Sequence, residues 1–211
     1  MAIRMKIPKI KICGLTSVEE AEWVLEEQVD YAGMVLFFPK SKRNLELSQA
    51  REILKVLYRE KKIKTVAVTV SPTAEQVEDI QEAGFDRIQI HGTLSKEAFD
   101  RIQIPMIRAF NGLDRELYEK FHNCHKVEAY LFDAQIPGSG ETFDWNILEQ
   151  IPRDEKLFFL AGGLKPDNIE RAVRMVQPDV VDVSSGVEIA PDVVGKDREK
   201  IREFVRKVRS I

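Results

Sequence analysis

Cysteine is scarce in this chain, with two residues, Cys13 and Cys124, and histidine occurs three times. Two thiols far apart in sequence make no disulfide framework, and a protein of a reducing compartment is expected. His122 and His125 flank Cys124, but no fourth ligand stands near them, so no metal is expected there. Long apolar runs are missing too. No stretch approaches the ~18 residues of a membrane span, and the N-terminus has no signal-peptide core. No membrane partner and a cytoplasmic location are therefore expected. Charge of one sign is also lacking: 32 basic residues stand against 35 acidic ones, for a net charge of −3. The two signs are interspersed, so neither a basic stripe for nucleic acid nor a polybasic membrane patch is present. Finally, no linker composition and no internal repeat divide the chain. Residues 1–211 are expected to form one domain, with residues 1–8 a short N-terminal extension.

What is present is regular alternation. Hydrophobic residues make up 44% of the chain, enough for a globular core. Lys9 to Cys13 (KIKIC) alternates apolar and polar residues with the period of a strand. Gly14 breaks it, and Ser17 with Glu20 has the spacing of a capping box for a first helix. Further strands are predicted at Asp30–Phe37, Lys64–Val70, Arg87–Ile90, Pro105–Ala109, Glu128–Asp133, Leu157–Ala161 and Val180–Val183. Helical spacing lies between them, with starts predicted at Ser48, at Pro166 as a first helical residue and at Lys196. Eight strand–helix units of about 25 residues predict a parallel sheet closed as a (β/α)₈ TIM barrel. In such barrels function lies at the C-terminal ends of the strands.

Those ends carry the polar residues. The turns after the seventh and eighth strands, Ala161-Gly162-Gly163-Leu164 and Ser184-Ser185-Gly186-Val187, read as a phosphate site: small residues let backbone N–H groups approach an anion closely. Cys13 and Asp133 each close a strand. A thiolate serves as a base and a protonated carboxyl as an acid, although their reference pKa values of ~8.5 and ~3.9 both need shifting for those roles. A small buried hydrophobe is the other reading of Cys13. Lys11 shares the face of Cys13. It either stabilises a thiolate or forms a structural ion pair with Asp133, and the sequence leaves both open. Arg43, in the basic loop Pro39–Arg43 after the second strand, is a candidate carboxylate grip. His91 and Asp182 are weaker candidates, either lining the pocket or satisfied in the core.

These motifs carry a resemblance. KICGLT, FPKSKR, IQIHG, GSGETFDW, AGGLKPDNI and VDVSSGVE stand in the order of the phosphoribosylanthranilate isomerase family of tryptophan biosynthesis, from about Lys9 to Val208. The resemblance implies a (β/α)₈ barrel and an Amadori rearrangement of N-(5-phosphoribosyl)anthranilate to the carboxyphenylamino-deoxyribulose phosphate. It implies Cys13 as general base, Asp133 as general acid and Arg43 on the anthranilate carboxylate. The two small-residue turns become the phosphate grip, and no cofactor is involved. The expected partner is a phosphorylated small molecule, with the chain a monomer or homodimer. Three positions depart from the family pattern. Pro137 and one glycine stand where two glycines are frequent, Glu141 replaces a basic residue, and Thr69 replaces a phenylalanine. Two rival readings remain. One is another phosphosugar aldose–ketose isomerase barrel, whose usual two aspartates are disfavoured by Cys13. The other is a non-catalytic barrel that binds a phosphorylated metabolite.

Overall fold

The computed structural model describes residues 6–59, 62–111, 115–133, 145–151, 153–191 and 193–211. Eight strands follow the predicted periodicity: β1 (Lys9–Cys13), β2 (Tyr31–Leu36), β3 (Lys64–Val70), β4 (Arg87–His91), β5 (Met106–Asn111), β6 (Val127–Asp133), β7 (Leu157–Leu160) and β8 (Val180–Val183). Each pairs parallel with its sequence neighbours, and β1 pairs with both β2 and β8, which closes the barrel. A two-residue strand, Asn44–Leu45, extends the sheet beside the end of β2.

Alternation along each strand sorts the side chains. Ile10 and Ile12 of β1 face the helices, while Lys11 and Cys13 face the barrel axis. The lower interior is apolar, with Tyr31, Val66, Ile107, Ala129, Phe159 and Val180 filling it. The Tyr31 and Phe159 rings meet edge to face, 5.2 Å apart. Inward positions nearer the C-terminal mouth are polar: Gln89, His91, Asp133 and Asp182 are all buried there. Thr69, by contrast, falls on the outward face with Ala67, so its departure from the family pattern bears on packing outside the barrel and not on the pocket.

Seven α-helices cover the barrel among the described residues: α1 (Val18–Glu26), α2 (Leu47–Leu57), α3 (Ala74–Glu82), α4 (Lys96–Arg101), α5 (Arg115–Phe121), α6 (Ile169–Val176) and α7 (Arg198–Arg209). In the interval between β6 and β7, Trp145–Gln150 is a 3₁₀ helix. Several predicted starts move. α2 begins at Leu47, where Glu46 and Gln49 cap each other reciprocally. Pro166 does not open α6, which begins at Ile169. Asn168 instead turns back, accepting from the Lys165 N–H and donating to the Gly163 carbonyl, so it braces the preceding turn. Asp197 caps α7, whereas Lys196 is drawn into an antiparallel bridge with Glu188. The capping box at α1 is only half made. Ser17 accepts from the Glu20 N–H, but the Glu20 carboxylate takes the backbone N–H groups of Thr16 and Lys196. The sixth loop, with Pro137, Gly138 and Glu141, lies outside the described residues, as do residues 1–5.

Candidate active site

Cys13 is delivered to the mouth by the end of β1. Beyond it Gly14 turns the chain at φ +77°, and a Cβ there would come within 2.6 Å of the Arg43 Cδ. The position thus needs a left-handed turn and leaves room for the arginine stem. On the far side, β2 ends at Leu36 and Phe37 adopts a left-handed φ of 57°. A bulky residue there is an outlier that neighbouring structure must hold in place. Asn44 does so by accepting the Phe38 N–H at 2.7 Å, which closes the basic loop and points Arg43 inward.

Below Cys13 a polar chain crosses the barrel. β1 and β8 pair Lys11 with Asp182, and the Lys11 ammonium lies 2.6 Å from Asp182 Oδ2 and 2.8 Å from Gln89 Oε1. Gln89 Nε2 sits 2.8 Å from His91 Nε2. The ion pair is thus Lys11–Asp182, and Asp133 is not the partner of Lys11. Register decides this, because β8 is the strand beside β1 and β6 lies farther round the barrel. Asp182 Oδ1 is buried without a hydrogen bond.

Charge states follow from this geometry. Burial pushes the Cys13 thiol up, and the nearby Lys11 ammonium opposes without overcoming it. Burial also raises the Asp182 carboxyl against the pull of Lys11. For Lys11, burial works against the charge, but Asp182 first and then Cys13 outweigh it and the ammonium is held. His91 is pushed down to about 3 by burial, then by Lys11 and Arg108, and stays neutral.

The structure brings the candidates together. Cys13, Arg43, His91, Asp133 and Asp182 line one pocket at the C-terminal mouth. Gly162, Gly163, Ser184 and Ser185 form another wall of it. Gly186 sits just behind that wall and lines the adjoining cleft. A Cβ on Gly186 would lie 1.9 Å from the Leu164 carbonyl oxygen, so the two turns pack directly on each other.

Three residues here were not singled out from sequence. Gln89 links Lys11 to His91. Glu188 is buried and held by Arg43, Lys42 and Lys196, and it remains a carboxylate with its pKa near 2. Its burial is outweighed by hydrogen bonds from Arg43 and Lys42 and by the Lys196 charge. Lys196, itself nearly fully buried, also contacts the Ser184 carbonyl and hydroxyl at 3.2 and 3.3 Å. Glu188 was legible only as the end of the VDVSSGVE motif. Lys196 had no local signal, because its burial depends on the bridge back to Glu188.

The molecule is thus a (β/α)₈ barrel with one thiol- and carboxyl-bearing, cation-rich pocket at its C-terminal mouth, where barrel enzymes work. Comparison with known proteins narrows that class. The family model described as N-(5'phosphoribosyl)anthranilate (PRA) isomerase matches residues 10–207. The N-(5'-phosphoribosyl)anthranilate isomerase of Streptococcus mutans is 40% identical over 202 residues, covering 95% of this chain and 98% of its own. That of Aquifex aeolicus is 36% identical over 207 residues, covering 96% and 98%. Among solved structures, phosphoribosyl anthranilate isomerase from Thermotoga maritima superposes with a TM-score of 0.83 at 32% identity, covering 97% of this chain and all of that one. A phosphoribosyl anthranilate isomerase in complex with reduced 1-(o-carboxyphenylamino)-1-deoxyribulose 5-phosphate gives 0.80 at 31%, with the same coverage. The chain belongs to the N-(5'-phosphoribosyl)anthranilate isomerase family.

Proposed function

We propose that this protein catalyses the Amadori rearrangement of N-(5-phosphoribosyl)anthranilate to 1-(2-carboxyphenylamino)-1-deoxyribulose 5-phosphate in tryptophan biosynthesis. The observation that carries this is the convergence of Cys13, Asp133, Arg43 and both small-residue turns on one pocket in a chain of this family. Asp133 donates a proton to the furanose ring oxygen, and the ring opens to a protonated Schiff base. Cys13 removes the proton from the sugar carbon next to the anomeric carbon, giving an enolamine that tautomerises to the ketone. The reaction is an internal redistribution of hydrogen and involves no cofactor.

The free site holds Cys13 as a thiol. The base must therefore be generated as substrate enters, and the ammonium of Lys11 on the same strand face is placed to stabilise the thiolate. The wall formed by Gly162, Gly163, Ser184 and Ser185 takes the phosphate, with Gly186 fixing the second turn, and Arg43 takes the anthranilate carboxylate. His91 and Asp182 line the sugar-binding part. The chain works as a single domain with a short N-terminal segment, of which Lys6 reaches Asp179 at 3.0 Å. It acts as a monomer or homodimer in the cytoplasm. Among the described residues no helix is long and apolar enough to cross a membrane.

The test is turnover of phosphoribosylanthranilate by the purified protein, followed as loss of its fluorescence. Asp133→Asn keeps the shape and removes the proton donor. It is expected to bind the reduced product analogue with turnover near background. Normal turnover by Asp133→Asn would place the acid elsewhere, and no turnover by the unmodified protein would overturn the function.

A further inference from the structure

We propose that Glu188 is the positioning residue for Arg43, holding its guanidinium with the terminal nitrogens turned to the carboxylate of the anthranilate ring. The inference rests on the role given to Arg43 above and adds to it the residue through which that arginine is aimed.

Arg43 reaches the pocket on a long, flexible side chain, and a flexible cation is a poor receptor because ordering it on binding costs free energy. Here it is ordered beforehand at two points. Its stem passes over Gly14, so closely that a Cβ on that residue would fall 2.6 Å from Cδ. Its Nε donates to Glu188 Oε1 at 2.5 Å. An arginine bound only through Nε keeps both terminal nitrogens, the pair that takes a carboxylate in bidentate fashion. Among the described residues the Arg43 side chain makes no other hydrogen bond, and it lines the mouth of the pocket.

Glu188 is built for holding and not for chemistry. Its side chain is 3% exposed, and its backbone is locked by the bridge to Lys196. The oxygen not used by Arg43 is 2.9 Å from Lys42 Nζ, and Lys196 Nζ approaches the shared oxygen at 3.4 Å. With Arg43 and Lys42 both on one carboxylate, the cluster keeps a positive excess. It therefore fixes Arg43 without cancelling its attraction for an anionic ligand. Lys196 also touches Ser184, so the anchor that aims Arg43 is continuous with the proposed phosphate wall.

A double-variant cycle on the full chain tests this, using Glu188→Gln, Arg43→Ala and the pair. KM and kcat are measured with phosphoribosylanthranilate, and affinity with the reduced product analogue. Glu188→Gln replaces an acceptor with an amide that cannot serve three donors. It is expected to raise KM and weaken the analogue by about tenfold, the scale of a lost charged hydrogen bond, with kcat changed far less. In the Arg43→Ala background the same substitution should add almost nothing, because its target is gone. A merely structural role for Glu188 would persist in that background, and an undiminished effect there overturns the proposal. If Glu188→Gln does not fold, Glu188→Asp, which keeps the charge and shortens the reach, goes through the same cycle with the same criteria. Normal KM for the Glu188 variants with weakened Arg43→Ala overturns this inference alone. Normal KM and analogue affinity for Arg43→Ala overturns the role of Arg43 and this inference with it.

Discussion

In the role proposed for it, Cys13 is a base that begins as an acid. Its position at the end of β1 was legible in the sequence, because a strand-closing thiol before a glycine turn has few neighbours that alternation does not specify. Its charge state was not legible, since it depends on burial and on which residues stand opposite across the barrel. Lys11 was visible as a same-face neighbour, but its partner Asp182 comes from the far end of the chain through the β1–β8 register. Two measurements follow. Alkylation of Cys13 in the free protein, made in a Cys124→Ala background and read by mass spectrometry, should rise with a midpoint above the ~8.5 of an ordinary thiol. A midpoint below that value would mean that Lys11 outweighs burial before any ligand arrives. Cys13→Ser should fold normally and lose turnover by orders of magnitude, because a hydroxyl is a far weaker base near neutrality. Near-full activity of the folded variant removes Cys13 from the mechanism.

The strands were read almost to the residue, and for a physical reason: a two-residue period with β-branched and aromatic fillings has little else to become. Helix starts were read less well where a side chain left its own helix. Asn168 braces the turn after β7, Glu20 crosses to Lys196, and both contacts belong to tertiary structure. The two small-residue turns show how a local signal understates an element. Sequence marks them as loose, anion-friendly backbone, whereas in the fold Gly186 is pressed against the Leu164 carbonyl, so each turn shapes the other. Gly186→Ala would place a methyl 1.9 Å from that oxygen. Relief requires the turns to part, at a cost of roughly 1–3 kcal/mol for an overpacked contact. Lower stability in urea and weaker binding of inorganic phosphate are both expected. Unchanged phosphate affinity in the destabilised variant would separate the packing of these turns from ligand binding.

At the scale of the whole molecule, the barrel carries a gradient from an apolar floor to a polar mouth, and a chain of hydrogen bonds with fixed direction spans its interior. Asp182 accepts from Lys11, Lys11 donates to Gln89 Oε1, and the Gln89 amide is thereby oriented with its NH₂ toward His91 Nε2. That nitrogen must accept, so His91 is neutral in the fold and a proton there would set two donors face to face. This agrees with its pKa near 3 against an ordinary 6.5. Linkage then gives a sign. Below about 6.5 the unfolded chain takes up a proton that the folded chain refuses, so stability falls as pH drops from there toward 3 and is unaffected by this group above 6.5. Each pH unit is worth about 1.4 kcal/mol, hence about 2 kcal/mol between pH 6.5 and 5. Within that window most carboxylates remain ionised. Urea unfolding of the parent protein and of His91→Gln at pH 7.5, 6.5 and 5, values chosen around that window, isolates the contribution. The parent should lose about 2 kcal/mol more than the variant on going from 6.5 to 5, and the two should run parallel from 7.5 to 6.5. Parallel behaviour over the whole range would mean that His91 accepts its proton in the folded barrel, and that the hydrogen-bond chain beneath the proposed active site runs with the opposite polarity.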